Sequence, residues 1–265
     1  MCGRFASFRS AQDLADDLAV ADVAHDAGLL APSWNVAPTD AVRIVVERPA
    51  RLPGGGHGAI TRSLQLARWG LVPSWAKDPG VGARMINARS ETLLDKPAFA
   101  RPLGARRCLV PAEGYYEWRR LPAPDGPAGG DRGGRGATVP KQPYWIHPAQ
   151  GGLAFAGLYE FWRDPARAAD DPARWLVSTT IITTAAAHGL AHVHDRMPVA
   201  LPPAAWDAWL DPAVGAQEAA ILVAEPVREL ALTPVTTRVN AVRNDGPRLL
   251  EPDPEPLDAG LPTAP

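Results

Sequence analysis

Residues 121–140 read LPAPDGPAGGDRGGRGATVP, ten glycines or prolines in twenty positions. No helix interior or central strand survives that density, because each glycine adds backbone freedom and each proline removes an amide donor. A disordered surface loop is therefore expected there. Its flanks, LVPAEGYYEW and KQPYWIHP, are short, aromatic and strand-like, so the loop reads as an enlarged hairpin connection and not as a domain boundary. RLPGGGHG at 51–58 is a smaller loop of the same kind, between AVRIVVE and RSLQLARWG. The segment EPDPEPLDAGLPTAP, 251–265, is proline-rich and acidic and is expected to fray, leaving one domain over residues 1–250.

Between these breaks, strand-like runs outnumber helical ones. Candidate strands are 41–47, 62–69, 106–111, 142–147, 152–159, 174–183, 197–201 and 235–239. Helical patterns lie near 10–20, 89–99, 184–191, 203–210 and 216–224, with Ser10 preceding the first and Pro202-Pro203 opening the fourth. There is no internal repeat and no alternation of strand and helix. The fold class that fits is a single α+β domain on a curved, mostly antiparallel sheet with peripheral helices. A chain of 265 residues that is 46% hydrophobic can bury a real core. It has no run of 18 apolar residues and no basic stretch leading into an apolar one at its start, so neither a membrane span nor a secretory signal is expected. Cys2 and Cys108 are too few for a disulfide framework and fit a reducing, cytoplasmic setting. The formal charge of −2 gives no sign of nucleic acid from the whole-molecule field, and a local basic patch is compatible with it.

Four segments carry candidate chemistry. The chain opens MCGRF, and removal of Met1 before a small residue would leave Cys2 with a free α-amine and a thiol on adjacent carbons. The bland alternative is a small, buried hydrophobe, the commonest use of a free cysteine. In MINARSETL, Asn87, Arg89 and Glu91 alternate, so an extended stretch would put an amide and a guanidinium on one side; a solvated edge running into a helix capped by Ser90 fits equally. In PAEGYYEW, Glu113 and Glu117 have the same parity, and spacing does not choose between them. A carboxylate set among Tyr115, Tyr116 and Trp118 would have its pKa raised by desolvation, which suits proton transfer. AAAHGLAHVHDRMPVAL holds His188, His192 and His194. The first two have the spacing of a helical metal pair, but H-E-x-x-H and cysteine-pair patterns are absent, so no metal and no cofactor is expected. His194 and Arg196 instead fall at a junction with an apolar strand, where sites often sit.

MCGRF, NVAPT (35–39), WGLVPSWAKD (69–78), INARSET (86–92), PAEGYYEW, FAGLYE (155–160), HDRMP and VNAVRNDGP (239–247) occur here in that order. In this the chain resembles the SOS-response-associated peptidase family, abasic-site-processing proteins that crosslink to DNA, over almost its whole length. The resemblance implies an α+β domain around a barrel-like sheet, acting as a monomer on abasic sites in single-stranded DNA. It implies that Cys2 is an exposed nucleophile: its amine condenses with the ring-opened aldehyde and its thiol closes a thiazolidine. Neither group need then have an unusual pKa, since both have reactive fractions near neutrality. Associated lyase activity and self-removal of Met1 would accompany this. By the same match, Asn87 orients Cys2 and the opened sugar, Glu117 transfers protons near the amine, and His194 assists ring opening and elimination. Arg4, Pro38, Trp75, Arg89 and Arg196 match DNA-contacting positions, the arginines on phosphates and Trp75 on an unpaired base. For Trp69, core packing is the stronger reading. Two other classes fit some of these features: an N-terminal-nucleophile cysteine peptidase or amidohydrolase, in which the thiolate attacks an amide, and a DNA-binding module without chemistry.

Overall fold

In the computed structural model, residues 2–51, 56–121, 139–187 and 189–258 are described. In chain order the strands are β1 (Phe5–Ser7), β2 (Asp22–Val23), β3 (Ser33–Val36), β4 (Ala41–Arg51), β5 (His57–Trp69), β6 (Asn87–Arg89) and β7 (Arg107–Ala112). They continue as β8 (Gly114–Arg120), β9 (Lys141–His147), β10 (Leu153–Arg163), β11 (Trp175–Ala185), β12 (Arg196–Pro198) and β13 (Ala231–Pro234). The helices are short: α1 (Ala11–Asp17), α2 (His25–Leu29), α3 (Pro97–Ala105), α4 (Trp206–Leu210) and α5 (Ala216–Leu222).

One sheet runs β13-β9-β8-β1-β3 and the other β12-β11-β10-β7-β4-β5-β2. Within the second, β11 returns to β5 through a parallel contact, Ser178 beside Arg68 and Thr179 beside Trp69. The sheet is thus ring-like without being a closed barrel, in keeping with the expected barrel-like curvature. The α+β class and the mostly antiparallel pairing agree with expectation. β4 and β5 pair out to Arg51 and His57, and β8 and β9 to Arg120 and Lys141, so both glycine-rich segments connect hairpin strands. The connections themselves, 52–55 and 122–138, lie outside the described residues.

Apolar alternation on the facing strands builds a shared interior between the sheets. Phe5 packs edge-on against Trp69 at 5.0 Å and Phe155 at 6.2 Å between ring centroids, and Tyr115 meets Phe155 at 6.1 Å. Each such ring contributes about 1.5–3 kcal/mol by leaving water. Trp69 is fully buried and donates its indole N–H to Ile86 O at 2.9 Å, so it belongs to the core and offers no face to a base. The helices cover the other side of the ring-like sheet, where Leu14, Phe99, Leu103 and Trp209 are buried. Ser10 starts α1 with a reciprocal capping box to Asp13, as its sequence suggests.

Three expected elements differ. The helix expected at 184–191 is replaced by the end of β11, which runs to Ala185 because β12 pairs with Thr183, Thr184 and Ala185. Cross-strand pairing here overrides the helix preference of the alanine run. His192 is therefore in a turn, not on a helix, and His188 lies outside the described residues. The helix expected at 89–99 becomes a 3-10 turn at Ser90–Thr92 followed by α3 from Pro97, and Ser90 does not cap α3. The strand expected at 235–239 ends earlier, as β13, and gives way to a 3-10 turn at Thr237–Asn240.

The chain after 250 stays docked as far as it is described. Pro252 bridges Val235, and Leu257 N–H donates to Gln142 Oε1 at 2.7 Å. The Asp258 carboxylate accepts from Tyr144 Oη at 2.9 Å and pairs with Arg119. Residues 259–265 lie outside the described residues.

Two local devices shape the loop that follows β5. Chain leaving β5 turns at Gly70, whose φ of +124° and whose missing Cβ, which would sit 2.5 Å from Gly82 O, demand glycine. The loop that follows carries Trp75, and Trp162 of β10 donates its indole N–H to Ala76 O at 2.7 Å.

Candidate active site at the amino terminus

Phe5 fixes the start of the chain. Its ring is locked in the core, and Tyr116 N–H donates to Arg4 O at 2.9 Å, holding the strand against β8. Three residues earlier, Cys2 is fully buried in the same cluster, with its thiol 3.9 Å from Arg4 O. Asn87 opens β6, which lies parallel to β11, and donates from Nδ2 to Cys2 O at 2.8 Å. Its Oδ1 is buried without a hydrogen-bond partner, an acceptor left over at the site.

Glu117 and Tyr115 project from one face of β8, two residues apart, and are 3% and 1% exposed. Burial raises the Glu117 carboxyl above the usual carboxylate range, and the charge of the chain's amino terminus, then that of His194, partly offsets this. Burial, reinforced by Glu117, pushes the Cys2 thiol far above the usual thiol range. Tyr115 is likewise held well above the usual phenol range by burial, then by Cys2 and Glu117. The expectation of an exposed Cys2 with an unperturbed thiol is therefore corrected: desolvation keeps the sulfur neutral. A carboxyl with a raised pKa beside it is suited to giving or taking a proton near neutrality.

His194 lies just before β12. Its Nδ1 is 3.0 Å from Arg196 N and 2.8 Å from the Asp195 carboxylate. The neutral ring with its proton on Nε2 accepts from Arg196 N–H, and the protonated ring engages Asp195. One imidazole thus has a partner for each protonation state.

Cys2, Asn87, Glu117 and His194 are brought together. Glu113 is not among them: its carboxylate accepts from Phe8 N–H at 2.6 Å and pairs with Arg9 at 2.7 Å, a structural tie. The residues matched to DNA contacts separate into two groups. Arg89 is exposed and its guanidinium makes no hydrogen bond or ion pair among the described residues, and Trp75 is 67% exposed. Arg4 is engaged internally, with Asn35 Oδ1 at 2.8 Å, Val239 O at 3.0 Å and Asn240 O at 3.3 Å. Arg196 is bidentate to Glu91, at 2.5 and 2.9 Å, and donates to Thr183 O at 2.6 Å. Pro38 is half-buried in a turn whose next residue, Thr39, has φ +78°, an uncommon conformation for a β-branched residue. Sequence reasoning missed Asn35, whose amide donates to the carbonyls of Val239, Ala241 and Asn244 and so clamps the 239–244 segment beside Arg4. It also gave the Tyr115 hydroxyl no role of its own. Among the described residues no group of three His, Cys, Asp or Glu is placed to hold a metal ion, and no helix is long and apolar enough to cross a membrane.

Comparison with known proteins decides the family. The family model "SOS response associated peptidase (SRAP)" matches residues 1–242. This chain belongs to the SRAP family. Relatives include abasic site processing protein YoqW of Bacillus subtilis, 35% identical over 95% of this chain and 99% of its own length. Abasic site processing protein HMCES of Gallus gallus is 33% identical over 89% of this chain and 69% of its own. Among solved structures, a Bacteroides thetaiotaomicron protein superposes with a TM-score of 0.73 at 22% identity, covering 95% of this chain and all of that one, a likeness of fold. A phage-related protein of Bordetella bronchiseptica is 30% identical with a TM-score of 0.59, over 88% of this chain and 94% of that one.

Proposed function

We propose that this SRAP protein processes abasic sites in single-stranded DNA by a covalent crosslink through Cys2. The observation that carries the reading is the placement of Cys2: its carbonyl is held by Asn87, and its thiol shares a buried site with Glu117. The names of the relatives supply the substrate.

Removal of Met1, by self-cleavage or otherwise, converts the Cys2 amide nitrogen into a free amine. That amine adds to the aldehyde carbon of the ring-opened sugar. Glu117, its carboxyl pKa raised by burial, protonates the departing hydroxyl, and water leaves as the imine forms. The thiol then closes on the carbon of the protonated imine: a sulfur–carbon bond forms, the C=N pair goes to nitrogen to leave a neutral N–H, and the thiol proton is lost to a neighbouring base. The product is a thiazolidine, and one water is released overall. His194 exchanges protons during ring opening, and in an associated lyase step it assists loss of the 3′ phosphate. Trp75 stacks on an unpaired base and Arg89 meets phosphate. Arg4 and Arg196, tied as they are to the protein, act on the backbone only by exchanging those ties or through their remaining donors. A monomer suffices for this chemistry.

The test compares Cys2→Ala and Cys108→Ala with the wild type on an abasic strand, scored by denaturing gel. Cys2→Ala is expected to lose the crosslink while its equilibrium DNA affinity stays within a few-fold. Cys108→Ala is expected to keep it: that thiol is buried, pushed up to about 12, and sits 3.4 Å from Thr179 Oγ1. Loss of the crosslink in Cys108→Ala alone would reassign the nucleophile. A wild type that turns over amide substrates and forms no adduct would favour the peptidase class instead.

A further inference from the structure

Tyr115 has a hydroxyl that the fold does not use. The ring is 1% exposed and packed edge-on against Phe155, yet its oxygen has no hydrogen-bond partner. A phenylalanine would fill the same space without burying an unsatisfied hydroxyl, which is costly in an apolar site. Tyr115 stands opposite Phe5 in the β1–β8 register, and shares with Cys2 the cluster on which the amino terminus rests. It also lies on the Glu117 face of β8, two residues before the carboxylate. The charges that reach its hydroxyl are those of Cys2 and Glu117, and the chain's amino terminus and His194 bear in turn on Glu117. Ile146 of β9 and Phe155 of β10, its other neighbours, bring none.

We propose that the Tyr115 hydroxyl donates a hydrogen bond to the Cys2 sulfur as it becomes anionic, making Tyr115 a further residue of the ring-closing step. This rests on the reading that Cys2 crosslinks abasic DNA. Among the described residues the hydrogen-bond partner of the buried sulfur is Arg4 O, an acceptor that favours the neutral thiol and offers nothing to a thiolate. A phenol that stays protonated across the physiological range supplies the missing donor. Its proton is shared and not transferred: the sulfur–carbon bond forms on the protonated imine, the C=N pair moves to nitrogen to leave a neutral N–H, the thiol proton goes to a base, and the tyrosine ends as it began. Imine formation, which uses only the amine, does not need it.

Tyr115→Phe keeps the ring and its packing, and its melting temperature is the control for folding. The probe is an abasic single strand, with the imine captured by borohydride and the thiazolidine by acid-stable mass, from pH 6 to 9. In parallel, iodoacetamide labelling of Cys2 is followed over the same range. With Tyr115→Phe, ring closure is expected about tenfold slower at pH 7, a fold-change in line with loss of one hydrogen bond to a charged atom. The trapped imine is expected to accumulate, and Cys2 labelling to be slower at each pH. Identical closure rates and identical labelling profiles in the two proteins would overturn the role of Tyr115 while leaving the crosslinking reading intact. A wild type that gives neither imine nor thiazolidine would overturn both.

Discussion

Replacing Glu117 by Gln removes a carboxyl whose pKa burial has raised, and the sign of the effect on stability follows from linkage. Below the usual carboxylate value both folded and unfolded states hold the proton, and the buried group costs nothing extra. Above it the unfolded chain ionises more readily than the folded one, so folding loses stability as pH rises, until the folded value is passed. Glu117→Gln is therefore expected to melt with the wild type near pH 4 and above it near pH 8, while crosslinking is lost or slowed. Equal melting at both pH values, or a wild type more stable at pH 8, would show that the carboxylate is stabilised in the folded site. At this scale the sequence was informative about chemistry and poor about environment. Glu117 and Asn87 were legible as candidates, and the resemblance chose Glu117 over Glu113. The burial of Cys2, and with it the direction of its thiol pKa, depends on Trp69, Phe155 and Tyr115 meeting from three distant strands, which no local pattern encodes.

Trp75 belongs to the scale of elements, because a loop and a strand hold it. The turn Ala76 N–H to Pro73 O at 2.9 Å and the Trp162 indole bond to Ala76 O fix a loop from which the Trp75 ring stands out. Trp75→Ala is expected to weaken single-stranded DNA binding by about 1–3 kcal/mol, the worth of one base–aromatic stack. Fluorescence anisotropy on a labelled strand measures it, with the melting temperature unchanged. An unaltered affinity would remove Trp75 from the interface. Element identity was readable where alternation and turn residues agreed, as in β4, β5, β10 and β11. It failed where tertiary pairing decided. The alanine-rich 184–187 stretch looks helical alone, yet β12 draws its first two residues into β11. Trp69 and Trp75 share one motif and opposite fates, because strand parity sends the first inward while the second follows the Gly70 turn out of the sheet.

The whole molecule serves to hold the first residues of the chain at the junction of two sheets. β1 is only three residues long, but it lies between β8 and β3, and Asn35 of β3 reaches the 239–244 segment that also receives Arg4. The amino terminus is thereby fixed from both ends of the sequence. Position 2, usually a frayed place, is thus held firmly, as the proposed crosslinking chemistry requires. The single α+β domain was legible from strand number and the absence of alternating helices. The ring-like return of β11 to β5 was not, since a two-residue parallel contact leaves no periodic trace. Nor was the docking of 251–258, where two side chains, Gln142 and Asp258, override a proline-rich composition. The most direct test of the central claim is the intact mass of the wild-type protein after incubation with an abasic single strand, followed by peptide mapping. The expected species is the chain without Met1, plus the strand, less one water, with the bond at Cys2. An adduct on a chain that retains Met1, or a bond mapped to Cys108 or a lysine, would contradict it.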